Sequence, residues 1–276
     1  YCLKKRGGLG SIKMKIGIIL DSIKVSWYIN DLIDWIEKNP NLNLEVLLIQ
    51  NVDNKRKPIF STGLSKIVDR ILFKIVNILE KRLIYKKYPQ YKKHFLKYDL
   101  RNLNKKELYV EFDKSNNGRN FNYNDKTINK IKELNLDIII RGGSGILTGK
   151  ILNSSKFGII SFHHGDNLVN RGGPSGFWEV YEKNPKTGFT IQILTERLDG
   201  GNVIKRGNFR TEQFYHLNQI ILTERSNYYM KTVLNNICNT DSLPQFMKDY
   251  PYYNKIYKAP NFIESIRYLF NLIYNK

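Results

Sequence analysis

The stretch KIGIILDSIKVSWYINDLIDWIEKNPNLNLEVLLIQ, residues 15–50, decides the fold class. It opens with an apolar, β-branched run at 15–20 and closes with a second one at 44–50, and both runs predict buried strands. Between them, Asp21 and Ser22 offer N-cap chemistry for a helix that an Asn-Pro-Asn turn ends. Strand, helix and strand at this spacing predict a parallel α/β sheet, because parallel neighbours need a crossover connection.

Three later apolar runs extend this sheet. They lie at 136–140, 158–162 and 188–194, and each is short and rich in isoleucine or other apolar residues. Helical patterns at 217–237 and 261–274 follow them. The sequence therefore predicts an α/β fold with a doubly wound, mostly parallel sheet of Rossmann-like type and a helical C-terminal appendage.

Composition indicates a globular protein with anionic partners. The chain has 276 residues, of which 41% are hydrophobic, and 45 basic against 25 acidic residues give a net charge of +20. This charge favours nucleic acid, phosphorylated small molecules or an anionic membrane surface, without choosing among them. No apolar run approaches the roughly 20 residues that span a bilayer, so we expect no transmembrane helix. Two cysteines, Cys2 and Cys238, form neither a disulfide framework nor a four-thiolate zinc site, and they fit a reducing cytoplasm.

The chain divides into segments of different texture. Residues 1–13 are basic and glycine-rich, and we interpret them as an extension or tag. Residues 14–205 carry the strand-and-helix pattern of the main domain, with a basic helical insertion at 51–101. Residues 206–276 form a helical, tyrosine-rich C-terminal region.

The insertion contains an amphipathic helix. Apolar residues recur at helical spacing, with basic residues between them: Leu64, Ile67, Ile71, Ile75, Ile78 and Leu79 against Lys66, Arg70, Lys74, Lys81 and Arg82. An ordinary helix with a solvated basic face is the favoured interpretation. A surface for phosphate or anionic lipid is the alternative.

Polar residues at two strand ends are the candidates for chemistry. His163 and His164 end the run at 158–162, and Asp199 follows the run at 188–194 in a Leu-Asp-Gly-Gly turn. Open α/β sheets bind ligands at the carboxyl ends of their strands. A histidine oriented by a carboxylate provides proton transfer near neutral pH, so His163 with Asp199 is a candidate acid–base pair.

Several common sites are excluded. The first strand is not followed by G-x-G-x-x-G, the chain contains no G-x-x-x-x-G-K-[ST], and no cysteine or histidine spacing fits zinc. We therefore expect neither a dinucleotide fold of the usual kind nor a bound metal. The glycine-rich turn at 142–145 is only weakly specific by itself, since it also fits a simple strand-to-helix turn.

Four segments, read in order, resemble a known family. They are IIIRGGSGIL (138–147), GIISFHHGDN (158–167), RGGP (171–174) and TGFTIQILTERLDGGNVI (187–204). This series is similar to the catalytic core of the N10-formyltetrahydrofolate-dependent formyltransferases, which include glycinamide ribonucleotide transformylase, methionyl-tRNA formyltransferase and the sugar N-formyltransferases. The resemblance extends over about 15–205 and is specific over 138–204.

The resemblance implies roles for individual residues. His163 matches the catalytic histidine and Asp199 the catalytic aspartate. The family's oxyanion-binding asparagine is replaced by Ser161, so the donor is either Ser161 or Asn167, and an altered or inactive site is a further alternative. The loop implied to hold the pterin and the formyl group consists of Arg141, Gly142, Gly143, Ser144, Gly145, Ile146 and Leu147, and the residues predicted to contact substrate are Arg171, Gly172 and Thr190.

The implied activity is formyl transfer from N10-formyltetrahydrofolate to a primary amine, without a metal. A nucleotide-linked amino sugar for surface polysaccharide is the leading acceptor by elimination. Methionyl-tRNA formyltransferase carries a C-terminal β-barrel, whereas the tail of this sequence has the pattern of helices. Purine-pathway transformylases lack the insertion at 51–101. Nucleic acid is thus the less favoured partner, while peripheral contact with an anionic membrane and a dimer remain open. The alternatives are another amine acceptor, a formyltetrahydrofolate hydrolase and a non-catalytic protein of the same fold.

Overall fold

A seven-stranded sheet forms the centre of the molecule. The computed structural model describes residues 13–52, 64–114, 120–169, 171–197, 201–248 and 256–274. Numbered in chain order among all described strands, the sheet contains β1 (Met14–Leu20), β3 (Leu42–Ile49), β5 (Lys106–Tyr109), β8 (Ile138–Arg141), β10 (Ile159–His163), β12 (Lys186–Ile193) and β13 (Asn202–Arg210). Their spatial order is β13-β12-β10-β8-β1-β3-β5. Strands β10, β8, β1, β3 and β5 are parallel, and β12 and β13 join antiparallel, which confirms the predicted mostly parallel sheet.

Helices cover both faces of this sheet. The described helices are α1 (Trp27–Lys38), α2 (Leu64–Lys87), α3 (Asp125–Glu133), α4 (Phe177–Tyr181), α5 (Tyr215–Thr240) and α6 (Phe262–Tyr274). Apolar side chains of α1 and α5 pack on one face, among them Leu32 and Leu234, both with no exposed surface. Ile128 and Ile131 of α3 pack on the opposite face. The doubly wound arrangement follows, because apolar strands can be buried only when both faces are covered. None of these helices, within the described residues, is long and apolar enough to cross a bilayer.

Short strands form three further small sheets. Strand β2 (Lys24–Ser26) pairs with β4 (Lys97–Asp99), and β11 (Arg171–Gly172) pairs with β14 (Ile256–Tyr257). A three-stranded sheet contains β6 (Phe112–Lys114), β7 (Asn120–Tyr123) and β9 (Ile146–Thr148).

The first helix begins later than the sequence predicted. Asp21 and Ser22 do not cap it: β2 intervenes, and α1 starts at Trp27 after the N-cap residue Ser26. The Ser22 hydroxyl bonds instead within its own turn, accepting from Lys24 N at 3.2 Å. The predicted capping was wrong because the Asp21 carboxylate is engaged elsewhere, by a loop distant in sequence.

Helix α2 buries a different side from the predicted apolar stripe. Ile71, Ile75, Ile78 and Leu79 are exposed, and Ile71 keeps 55% of its surface in contact with solvent. Among the α2 side chains that the structure describes, the buried ones are Val76, Glu80 and Ile84, at 1%, 1% and 0% exposure. Tertiary contacts with α5 and α6 select this face, so the spacing of the apolar residues identified the helix but not its orientation.

A polar cluster joins α2 to the two C-terminal helices. The Tyr268 hydroxyl donates to Glu80 Oε1 at 2.6 Å and accepts from Tyr215 N at 2.8 Å. The His216 backbone N–H donates to Glu80 Oε2 at 3.4 Å. The predicted C-terminal helices are therefore present, and the insertion packs directly on them. The predicted domain boundary at residue 205 falls within β13.

Candidate active site

The ends of three adjacent strands bring predicted site residues together. In the sheet register, Ser161 of β10 lies between Arg141 of β8 and Gln192 of β12, and His163 lies opposite Thr190. Directly opposite residues on paired strands place their side chains on the same face. Thr190 is fully buried, and its hydroxyl donates to Gly165 O at 3.1 Å, which fixes the turn after His163.

The loop after β8 is braced by polar side chains from two other strand ends. Asp21 Oδ1 accepts from Ser144 N at 2.8 Å and from Gln50 Nε2 at 3.0 Å. Gln50 Nε2 lies 3.2 Å from Ser144 O, and the Tyr123 hydroxyl donates to Gln50 Oε1 at 3.0 Å. A Cβ on Gly143 would lie 2.6 Å from Gln50 Nε2, so only glycine allows this approach. The loop therefore has a fixed backbone path beside the strand ends.

The 141–147 loop is also fixed at its C-terminal end. Gly145 has a φ of +82°, which favours glycine, and a Cβ there would run into the Phe121 ring. The Arg141 guanidinium donates to Gly145 O. Burial is the main cause that lowers the pKa of Arg141. Arg141 thus acts within its own loop, while Ile146 and Leu147 continue into β9 and pair with β7.

The two histidines at the end of β10 have different surroundings. His163 is half-buried and faces Thr190 across the strand pair. The His164 ring packs edge-on against Tyr28, with centroids 5.4 Å apart, and its buried Nε2 has no hydrogen-bond partner among the described residues. Burial, with a smaller contribution from His163, lowers the pKa of His164 to about 4. His164 is therefore neutral at physiological pH.

The remaining predicted residues have mixed placements. Asn167 is completely buried just beyond the strand end, and the Ser161 hydroxyl donates to Phe162 O at 3.0 Å. Arg171 and Gly172 form β11 and pair with β14, so this turn also anchors the C-terminal region. Asp199 lies outside the described residues.

A cavity of about 380 Å³ adjoins His164 on the α1 and α5 side of the sheet. Its lining combines aromatic, imidazole and ammonium groups, including Trp27, Lys81, His94, Lys97, His164 and His216. The Trp27 and His94 rings lie 4.1 Å apart, and His94 Nε2 is 2.9 Å from Glu224 Oε1. Such a lining suits a ring-bearing anion. No three His, Cys, Asp or Glu side chains within the described ranges are grouped so that they could hold a metal ion.

Sequence reasoning missed three residues at this end of the sheet: Asp21, Gln50 and Gln192. Each is a polar residue in or directly after a buried apolar strand, and Gln50 and Gln192 are 2% and 4% exposed. A buried polar residue in such a position requires a specific partner, and this was the available signal.

Comparisons by sequence identify relatives over part of the chain. No family model matches. The methionyl-tRNA formyltransferase of Rickettsia prowazekii (strain Madrid E) is 30% identical over 145 residues, which are 49% of this chain and 46% of that protein. The methionyl-tRNA formyltransferase of Bacillus pumilus (strain SAFR-032) is 34% identical over 83 residues, 30% of this chain and 26% of that protein. The chain thus spans less than half the length of these curated relatives.

Comparisons by structure extend over more of the chain. Phosphoribosylglycinamide formyltransferase from Anaplasma phagocytophilum has a TM-score of 0.54 at 10% identity, covering 87% of this chain and 96% of that one. An N-formyltransferase from Helicobacter canadensis, in complex with folinic acid and dTDP-3-aminofucose, has a TM-score of 0.51 at 11% identity, covering 96% of this chain and 81% of that one. At these identities the likeness concerns the fold.

Proposed function

We propose that this chain transfers the formyl group of N10-formyltetrahydrofolate to a primary amine, because its sequence relatives are methionyl-tRNA formyltransferases and its fold is similar to that of a phosphoribosylglycinamide formyltransferase. The observation that carries this proposal is the position of His163. It ends a central strand next to the braced 141–147 loop, where a donor and an acceptor can meet. The Helicobacter canadensis neighbour was crystallised with folinic acid, which supports a folate as the formyl donor.

The proposed reaction is a direct acyl transfer. The neutral amine attacks the formyl carbon, the carbonyl electron pair moves to oxygen, and collapse of the adduct breaks the bond to N10. His163 accepts a proton from the attacking amine and delivers a proton to N10. Asp199 orients the imidazole in the role that the resemblance gives it. This sequence of steps requires no nucleophile from the protein.

The acceptor that the cavity beside His164 favours is a nucleotide-linked amino sugar. Lys81 and Lys97 provide positive charge for a diphosphate, and Trp27 with His94 provides ring surfaces for a base or sugar. His164, which lines this cavity, directly follows His163 at the end of β10. The dTDP-3-aminofucose bound to the Helicobacter canadensis neighbour is a molecule of this class. The proposal includes a role of the product in surface polysaccharide synthesis and a cytoplasmic location of the enzyme.

Methionyl-tRNA is the second candidate acceptor, because the curated sequence relatives are methionyl-tRNA formyltransferases. The small-molecule acceptor is preferred because the charged and aromatic lining of the cavity beside His164 suits a nucleotide-linked sugar.

A formylation screen tests the proposal. The purified protein is incubated with N10-formyltetrahydrofolate and one acceptor at a time: amino-sugar nucleotides, methionyl-tRNA or glycinamide ribonucleotide. The mass of each product is then measured to detect the gain of one formyl group. We expect an amino-sugar nucleotide to be formylated. If only methionyl-tRNA is formylated, the acceptor is methionyl-tRNA and not an amino sugar. The absence of a formylated product in every class would overturn the proposal.

Adjacent histidines provide a matched pair of variants. His163→Asn is expected to abolish turnover, because it removes the proton carrier. His164→Asn is expected to raise KM for the acceptor while kcat stays within tenfold of the parent, because His164 lines only the acceptor cavity. Near-normal turnover by His163→Asn at saturating acceptor would contradict the assignment of the catalytic histidine.

A further inference from the structure

Gln192 occupies the place in the sheet from which a side-chain amide can reach the reacting group. It lies directly opposite Ser161 in the antiparallel pair of β10 and β12, with 4% of its surface exposed. Its neighbour two residues away, Thr190, lies opposite His163 in the same pair. Because side chains alternate along a strand, Gln192, Thr190, Ser161 and His163 share one face of the sheet.

The carboxamide of Gln192 lies against Gly201. A Cβ on Gly201 would be 3.0 Å from Gln192 Cδ and 3.1 Å from Oε1, so the glycine leaves room for the amide. Gly201 follows Asp199 by two residues. Gln192 Oε1 is buried without a hydrogen-bond partner among the described residues. No described protein donor therefore fixes the amide at its oxygen, so its orientation can adapt to a bound ligand.

We propose that Gln192 is a catalytic residue that donates from Nε2 to the formyl oxygen, in the role that the resemblance gives to an asparagine at position 161. The inference rests on the proposed function. When the amine nitrogen bonds to the formyl carbon, the carbonyl electron pair becomes an oxyanion, and the amide hydrogen bond strengthens as this charge forms. Collapse of the adduct returns the electron pair and releases tetrahydrofolate, whose N10 gains the proton that the amine loses.

Two other candidates are less suited to this role. The Ser161 hydroxyl already donates to Phe162 O, and it is shorter than an asparagine amide. Asn167 has no exposed surface and lies beyond the strand end. Opposite residues in an antiparallel pair have Cβ atoms about 4.5–5.5 Å apart, a gap that the longer glutamine side chain can cross.

Steady-state kinetics of a rescue series tests the inference. Gln192→Met keeps the length of the side chain and removes the donor, and we expect kcat to fall by about 10²–10³ with KM within threefold. Adding Ser161→Asn to Gln192→Met is expected to recover at least tenfold in kcat, because it restores an amide on the facing strand. Ser161→Asn alone is measured as the reference for the double variant. A kcat of Gln192→Met within threefold of the parent, or a loss that Ser161→Asn does not rescue, would assign Gln192 to packing and overturn the inference.

A binding measurement separates this inference from the proposed function. The probe is 10-formyl-5,8-dideazafolate labelled with ¹³C in the formyl group, and its carbonyl stretch is recorded on the parent and on Gln192→Met. The parent should lower the stretching frequency of the bound formyl group, and the variant should bind without that shift. Equal frequencies in both proteins would overturn the role of Gln192 alone. Failure of the parent to bind the probe would overturn the proposed function and this inference together.

Discussion

The buried carboxyl of Glu80 should make the stability of the protein depend on pH. Glu80 lies on α2 at 1% exposure and accepts hydrogen bonds from the Tyr268 hydroxyl and the His216 backbone. Burial raises the pKa of Glu80 from 4.5 to about 7, against the opposite effect of these hydrogen bonds. Burial also lowers the pKa of His216 to about 3, so the imidazole, whose Nε2 is 3.9 Å from Glu80 Oε2, stays neutral and forms no ion pair.

The expected magnitude follows from linkage. The folded state holds the proton on Glu80 more tightly than the unfolded state does, so this contribution to stability is complete below pH 4.5. It is lost as the pH rises through about 7. The difference corresponds to roughly 3 kcal/mol, at 1.36 kcal/mol for each pH unit. Glu80→Gln cannot ionise, so it should come within about 1 kcal/mol of the parent at pH 5 and exceed its free energy of unfolding by up to about 3 kcal/mol at pH 8.

Urea unfolding followed by tryptophan fluorescence between pH 5 and pH 8 measures this difference. Glu133→Gln provides the control, since Glu133 is an exposed carboxylate on α3 and its replacement should not alter the pH dependence. An equal difference between the parent and Glu80→Gln at pH 5 and at pH 8 would refute the argument, because it would mean that Glu80 titrates alike in the folded and unfolded states.

Three further predictions address the donor loop, the acceptor cavity and α2. Gly145→Ala should cost about 1–3 kcal/mol in urea unfolding, because its positive φ and the Phe121 ring oppose a side chain, and unchanged stability would contradict the braced loop. Trp27→Ala should raise KM for the acceptor at least tenfold without changing KM for the folate. A raised KM for the folate with an unchanged KM for the acceptor would mean that the acceptor binds outside this cavity. The alternative interpretation of α2, contact with anionic membranes, also has a test: the exposed charged side chains described on α2 are all basic and lie beside exposed apolar residues. The protein should therefore sediment with vesicles that contain anionic lipid but not with neutral vesicles. The double variant Ile71→Glu with Ile75→Glu should no longer sediment with the anionic vesicles. Equal binding to both vesicle types would exclude this contact.

The apolar strands of the sheet and the strand-end position of His163 could be predicted from the sequence. Strands buried on both faces must be apolar along their whole length, so the runs that became β1, β3, β8, β10 and β12 were visible without any tertiary information. The placement of His163 at a strand end followed from the same runs, because the carboxyl ends of parallel strands meet at one edge.

Only the tertiary structure decided which partner each polar residue takes. Asp21 is a good helix cap by local criteria, but the loop containing Ser144, 123 residues away, takes its carboxylate. Helix α2 has more than one apolar side, and the contacts of Glu80 with Tyr268 select the one that is buried. Gln192 becomes a candidate for catalysis only because the register sets it opposite Ser161. Periodicity in a sequence identifies a helix or a strand, whereas the contacts of each side chain depend on segments that meet only when the chain is folded.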